Sequence, residues 1–167
     1  MLDHKVLLFA AVAGLSSLAS IGSASAQVVQ GEEHCVVNVM PSDVLNVRSR
    51  NSASSKIVTT LRYGQCGVIV VAECRGSWCP IEDGHNAGWV HSRFISMVSP
   101  AMYCVAGVSA GYVLNLRAYP SARSRVGTEL PRNECDIAFL PYSTGDWRKV
   151  RVSGYEGWVN RSCLSGQ

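Results

Sequence analysis

Beyond its first residues the chain alternates short apolar runs with polar or glycine-containing breaks, and no stretch after Ala26 keeps a helical period with caps. The runs read CVVNV, VLNVR, CGVIVVAE, WCPIE and GWV, and the polar stretch after VLNVR extends to Leu61. The same order returns as CVAGV, VLNLR, CDIAFL, WRKVRV and GWV. Short β-branched runs bounded by turn residues predict strands, so the fold class expected is all-β.

The two sets are one pattern used twice. Cys35, Cys66, Trp78 and the Gly88-Trp89-Val90 triplet recur 69 positions later as Cys104, Cys135, Trp147 and Gly157-Trp158-Val159, with no insertion or deletion. The clearest segment is VLNVRSRNSASS (44–55) against VLNLRAYPSARS (113–124). Two copies at so long a step predict two small domains, over 35–98 and 104–167, because a solenoid needs about three stacked units to bury a core. In each copy a long polar loop, at 51–55 and 120–124, interrupts the strands at the same place. Several short strands with one long early loop predict a small closed barrel. Only residues 97–103, MVSPAMY, lie between the copies, so the barrels are expected to pack or tumble together.

The leader changes the picture of where the protein works. Lys5 precedes the apolar run VLLFAAVAGLSSLASI, and Ser23-Ala24-Ser25-Ala26 places small residues where a signal peptidase reads them. Residues 1–26 are therefore expected to be a signal peptide, cleaved before Gln27. The run is interrupted by Ser and Gly and falls short of the ~20 strongly apolar residues of a spanning helix, so the mature protein is expected to have no membrane span and to be periplasmic or secreted. No cysteine stands at the cleavage site to carry a lipid. Fifteen basic residues against 12 acidic ones give a net charge of +3, which loss of Lys5 and Asp3 leaves unchanged. That excess is too weak to imply nucleic acid.

All seven cysteines lie after residue 26, and an exported chain meets an oxidising environment, so disulfides outrank metal and thiol chemistry. The duplicated cysteines predict one bridge per copy, Cys35 with Cys66 and Cys104 with Cys135. Cys74 and Cys79, confined to the first copy, flank a turn at Arg75-Gly76-Ser77 and are expected to close a hairpin. Cys163 is left over as either a buried free thiol or an intermolecular link. A barrel of ~60 residues buries too small a fraction of its surface for comfortable stability, and each long bridge should add roughly 3–4 kcal/mol on the chain-entropy estimate.

Two chemical constellations are discounted. Cys74, Cys79, His85 and His91 superficially offer zinc ligands, but the second copy has Ser143, Arg148, Gly154 and Asn160 there and keeps its fold signals. No metal and no cofactor is expected. Nothing resembling a peptidase domain remains outside the copies, and a Cys/His nucleophilic pair needs a reduced, accessible thiol beside an ordered base, so no catalytic residue is assigned.

The order and spacing of LNVRS, Trp78, GWV and the FI after it resemble the bacterial Src homology 3 domain family across both copies. That resemblance implies tandem SH3-like barrels of about five strands each, with the long loop near the ligand face, and binding in place of catalysis. Members typically target cell-wall material or bind peptides, often attached to wall hydrolases. Peptidoglycan or a peptide is therefore the expected ligand. A structural or adaptor role toward another envelope or host protein is the alternative, and an accessory part of a wall hydrolase a more distant one.

Side-chain alternation selects candidate ligand residues. Trp78 opposes Ile81 and Trp147 opposes Val150, so if the aliphatic residues fill the barrels the tryptophans lie outside. Trp89 opposes Val90 and Trp158 opposes Val159 in the same way. An exposed aromatic cluster suits a ligand platform; the plainer reading is that the rings cover the barrel ends. GWVHSRFI also resembles the eukaryotic pattern Gly-aromatic-Ile-Pro-Ser-Asn-Tyr-Val, with Phe94 at the ligand-contacting tyrosine and His91 at the proline. Cys163 holds the Phe94 place in the second copy, so the first copy is expected to be the better site. Arg48 and Arg117 stand at strand–loop junctions, where a guanidinium holds either a ligand carboxylate or its own loop's carbonyls.

Non-reducing peptide mapping of the mature protein should show Cys35 joined to Cys66 and Cys104 joined to Cys135. Bridges running between the copies would refute independently stapled modules.

Overall fold

The computed structural model describes residues 28–165, and the expected signal peptide at 1–26 lies outside the described residues. The first copy forms β1 (Glu33–Val36), β2 (Val44–Arg48), β3 (Ile57–Arg62), β4 (Val68–Val70), β5 (Trp78–Glu82), β6 (Ala87–His91) and β7 (Ile95–Met97). The second forms β8 (Val113–Arg117), β9 (Val126–Pro131), β10 (Ala138–Thr144), β11 (Trp147–Val152) and β12 (Tyr155–Asn160). Each copy has one antiparallel sheet, in the orders β3-β2-β6-β5-β4-β1-β7 and β10-β11-β12-β8-β9. The second sheet has a reduced counterpart of β1. Tyr103 bridges Ile137 and Val105 bridges Leu164, matching His34 opposite Val68 and Val36 opposite Ile95 at the 69-residue step.

Each sheet wraps its own apolar core, and eight core positions correspond at the 69-residue step. Val36, Leu45, Val47, Leu61, Val68, Ile81, Val90 and Ile95 fill the first; Val105, Leu114, Leu116, Leu130, Ile137, Val150, Val159 and Leu164 fill the second. The strands alternate as period-two patterning requires: β2 buries Leu45 and Val47 and turns Val44, Asn46 and Arg48 outward. The repeated Gly of GWV has a steric cause. A Cβ at Gly88 would stand 2.8 Å from the Arg48 carbonyl oxygen, and one at Gly157 would stand 2.8 Å from that of Arg117. The strand carrying the arginine lies directly against that glycine, so only a residue without a side chain fits.

The polar stretch expected to run to Leu61 is a loop only in its first part. Residues 57–62 form β3 and residues 126–131 form β9, the sheet edges, and in each only the leucine is buried. With one buried side chain apiece, these strands carry no alternating pattern to read. CDIAFL likewise understates β10, which continues through Pro141 to Thr144 on the other edge of its sheet. An edge strand with a register shift tolerates proline there.

Three disulfides join Cys35 to Cys66, Cys74 to Cys79 and Cys104 to Cys135, leaving Cys163 as a free, half-buried thiol. The short bridge spans a turn with Gly76 at φ +60° and buries Cys79 in the first core. The second core has Arg148 at that place. Its guanidinium lies 5.9 Å over the Phe139 ring, and Phe139 stacks on Tyr103 with centroids 3.8 Å apart. A cation–aromatic pile holds the place in the second barrel that the Cys74–Cys79 bridge holds in the first.

A third apolar cluster joins the two copies: Cys35, Val37 and Val98 from the first meet Ala138, Leu140 and Tyr142 from the second, with Cys66 and Trp158 against them. The linker is thus part of the joint. Ser99 donates its N–H to the Phe139 carbonyl at 2.9 Å, and its Oγ accepts the Phe139 N–H at 2.7 Å. The Tyr142 hydroxyl donates to the Val36 carbonyl at 2.8 Å in a buried bond, and burial pushes its phenol up from the ordinary value. At the rim Arg151 grips Glu33 through two bonds of 2.8 and 3.0 Å while also holding Glu156. The Arg151 bond holds the Glu33 carboxyl below its ordinary value. As an ion pair it contributes above the ordinary carboxylate pKa and is lost as acid protonates Glu33.

Replacing Tyr142 by Phe removes one of two donors to the Val36 carbonyl, which keeps the Gly64 N–H at 3.1 Å, and should lower stability by about 0.5–1.5 kcal/mol, read by urea unfolding. A variant as stable as the parent would show that this bond does not hold the joint.

Candidate functional site

The outer face of the first sheet carries a groove with a cavity volume of about 480 Å³. Its walls come from four places. Asn38, Val39 and Met40 follow β1; Asp43 to Asn46 and Arg48 belong to or adjoin β2; Trp78 opens β5 with Ala53 of the long loop; His91, Arg93 and Phe94 end β6 and form the next turn. Trp78 and His91 are direct cross-strand partners with rings 5.6 Å apart, and Phe94 meets His91 at 6.0 Å. Both pairs of planes are steeply inclined, at 67° and 68°, as aromatic quadrupoles prefer. The Arg93 guanidinium lies 4.4 Å over the Phe94 ring.

Local hydrogen bonds fix this wall. The His91 Nδ1 accepts the Arg93 N–H at 3.4 Å and caps the one-turn 3-10 helix Ser92–Phe94. Asn38, at φ 56°, donates its amide to the Arg93 carbonyl at 2.8 Å. Asp43 caps the start of β2 by accepting the Val44 N–H at 2.7 Å. Arg48 donates to the Ser55 carbonyl at 2.7 Å, tying the long loop to the sheet. Its structural task is therefore visible, and the residue also lines the groove. The lining carries two guanidiniums against one carboxylate, over an aromatic wall. Chemically this suits an extended ligand with an apolar or flat part and carboxylate or carbonyl acceptors.

Of the residues expected from the sequence, Arg48, Trp78 and Phe94 meet in this groove. Trp89 stands cross-strand from Arg48 and Pro80 outside the lining, with the Arg75 guanidinium 5.5 Å over its ring. In the second barrel Arg117 donates to the Ser124 carbonyl at 2.7 Å and so pins its loop as Arg48 does. Trp147 is half-buried opposite Asn160. Trp158 packs against the cluster that joins the barrels. Cys74 and Cys79, weighed as metal ligands, are bonded to each other.

The second barrel repeats the groove frame and changes its wall. Val113, Asn115, Arg117, Ala122 and Trp147 match Val44, Asn46, Arg48, Ala53 and Trp78, whereas Gly107, Asn160, Ser162 and Cys163 replace Asn38, His91, Arg93 and Phe94. At Gly107 a Cβ would stand 2.3 Å from the Ser162 carbonyl oxygen. The following turn therefore presses onto the backbone at the place where Asn38 projects a side chain in the first barrel. Sequence reasoning passed over Asn38, Asp43 and Arg93 as contributors. The readable clue was that Asn38 and Arg93 differ between copies whose frame is otherwise shared.

Two small barrels, each with a long loop pinned by an arginine and a glycine crossing under it, define tandem SH3-like modules. Residues 43–96 and 111–166 each match the bacterial SH3 domain family, and the chain belongs to that family with two copies in tandem. Both matches are SH3 modules and neither is a catalytic domain. Among solved structures, NlpC2 from Trichomonas vaginalis is 13% identical with a TM-score of 0.39, over 81% of this chain and 48% of its own. NlpC1 from the same organism is also 13% identical at 0.39, over 86% and 49%. The chain spans about half the length of these two proteins. No curated protein matches it.

Proposed function

We propose that the protein is a non-enzymatic binding module of the periplasm or the cell exterior, and that its first barrel takes cell-wall (peptidoglycan) or peptide ligands in the groove of Trp78, His91, Phe94, Arg48 and Arg93. The observation that carries this is the convergence of an aromatic wall and two guanidiniums on one groove of about 480 Å³, in a domain family whose members commonly bind such material. Three disulfides support an oxidising compartment. No described helix is long and apolar enough to cross a membrane. The second barrel supports the first by packing Leu140 and Tyr142 of β10 against Val37 and Val98, and Gly107 in the Asn38 position argues against an equal second site.

Sedimentation with purified sacculi, with thermal melting alongside, tests the assignment. Trp78→Ala should weaken binding by about 2 kcal/mol or more, roughly thirtyfold, as loss of an aromatic anchor does. Its melting temperature should stay near the parent's, while Ile81→Ala loses about 2–5 kcal/mol of stability. Trp147→Ala should leave binding within about twofold. If Trp78→Ala melts as early as Ile81→Ala, the ring is structural and the groove assignment fails. Failure of the parent to sediment would favour a protein partner over wall material.

A further inference from the structure

The only fully buried polar or charged residue among those described is His34, at 0% exposure, and the ligand groove does not use it. Its ring fastens the segment that precedes β1. The Val29 N–H donates to Nε2 at 3.1 Å, and Nδ1 lies 2.8 Å from the Glu32 carbonyl oxygen. An amide N–H has only a proton to offer, so Nε2 must be unprotonated and Nδ1 must carry the hydrogen it gives to Glu32. The ring is therefore the neutral tautomer. The fastened segment, residues 28–32, lies across β4: Gly31 donates to the Val70 carbonyl at 2.8 Å, and Val28 packs on the first core.

The second barrel has the same strap with a different fastener. Residues 97–101, one step of 69 later, lie in the linker, where Ser99 exchanges two hydrogen bonds with Phe139 of β10. Tyr103 stands in the place of His34 and stacks on Phe139. A fastening of serine and stacked rings is indifferent to mild acid, whereas one that depends on an unprotonated imidazole nitrogen is not.

We propose that residues 28–32 form an acid-released strap, with His34 as the group that senses pH. Protonation of Nε2 turns an acceptor into a donor facing the Val29 N–H, so the strap bond cannot form and a charge is left in the core. The charged groups near the ring are Glu32 and Glu33, both of which favour protonation, and Glu33 is already engaged by Arg151. The packed strands β4 (VIV) and β7 (ISM) bring no titratable side chain. Burial is the largest influence on the ring and holds it below its ordinary value of 6.5. Release of the strap uncovers the ring and moves it back toward that ordinary value. Because the closed form binds the proton less well, the histidine's contribution to closure is fully present above about pH 6.5 and is lost as pH falls below it.

Amide hydrogen exchange and histidine ring NMR on the mature chain, between pH 7.5 and 5.0, test this. After correction for intrinsic exchange, protection at Val29 and Gly31 should fall progressively as pH is lowered, in step with the His34 ring signals. The Val36 N–H, bonded to the Gln65 carbonyl, should keep its protection. His34→Gln, neutral throughout this range, should show strap protection that does not vary with pH. If that variant does not fold, the parent alone decides, through whether ring and strap titrate together. A ring that titrates without opening the strap, or a strap that opens equally in His34→Gln, overturns the proposal.

Discussion

The structure depends on one four-residue strand, β1, whose alternation makes it serve two bodies at once. Glu33 and Cys35 face the neighbouring barrel, His34 and Val36 face the first core, and the Val36 carbonyl accepts the Tyr142 hydroxyl. Each side chain meets a different demand: an ion pair with Arg151, a strap, a disulfide to Cys66 and a core contact. A barrel of ~60 residues has little core to spare. A joint buried from both sides extends the apolar surface removed from water without lengthening either barrel.

The joint also explains why duplicated cysteines do unequal work. Cys35 is fully buried, and with Cys66 it belongs to the cluster between the barrels, whereas Cys135 of the second bridge is exposed. The same divergence marks β10 and the segment that follows β4. Leu140 and Tyr142 are buried by docking, while their counterparts at the 69-residue step, Val71 and Glu73, face solvent. One face of the second copy has become an interface, and the matching face of the first has not. The asymmetry extends to the grooves, where an Asn38–Arg93 wall stands in one copy and Gly107 closes against Ser162 in the other.

Much of this is legible in the chain. The core residues, the strands that bury two or more side chains, the bridges and the outward placement of Trp78 and Trp147 follow from period-two alternation and the repeat, because each rests on local geometry. What escapes is non-local or one-sided. Strands β3 and β9 bury a single leucine each and look polar. Trp158 obeys the same parity as Trp89, but a neighbouring domain covers it, and no alternation within one copy can announce a second body. Asn38 and Arg93 contribute through a backbone bend and a turn that strand patterning does not describe.

Strands β1 and β10 lock the two barrels into one rigid body that presents a single developed groove. Residual dipolar couplings measured on the mature protein in one alignment medium test it most directly. One alignment tensor should fit the backbone N–H vectors of β1–β7 and β8–β12 together, with the relative orientation given by the Val36–Tyr142 and Glu33–Arg151 contacts. Two tensors of different magnitude, one for each barrel, would contradict the account.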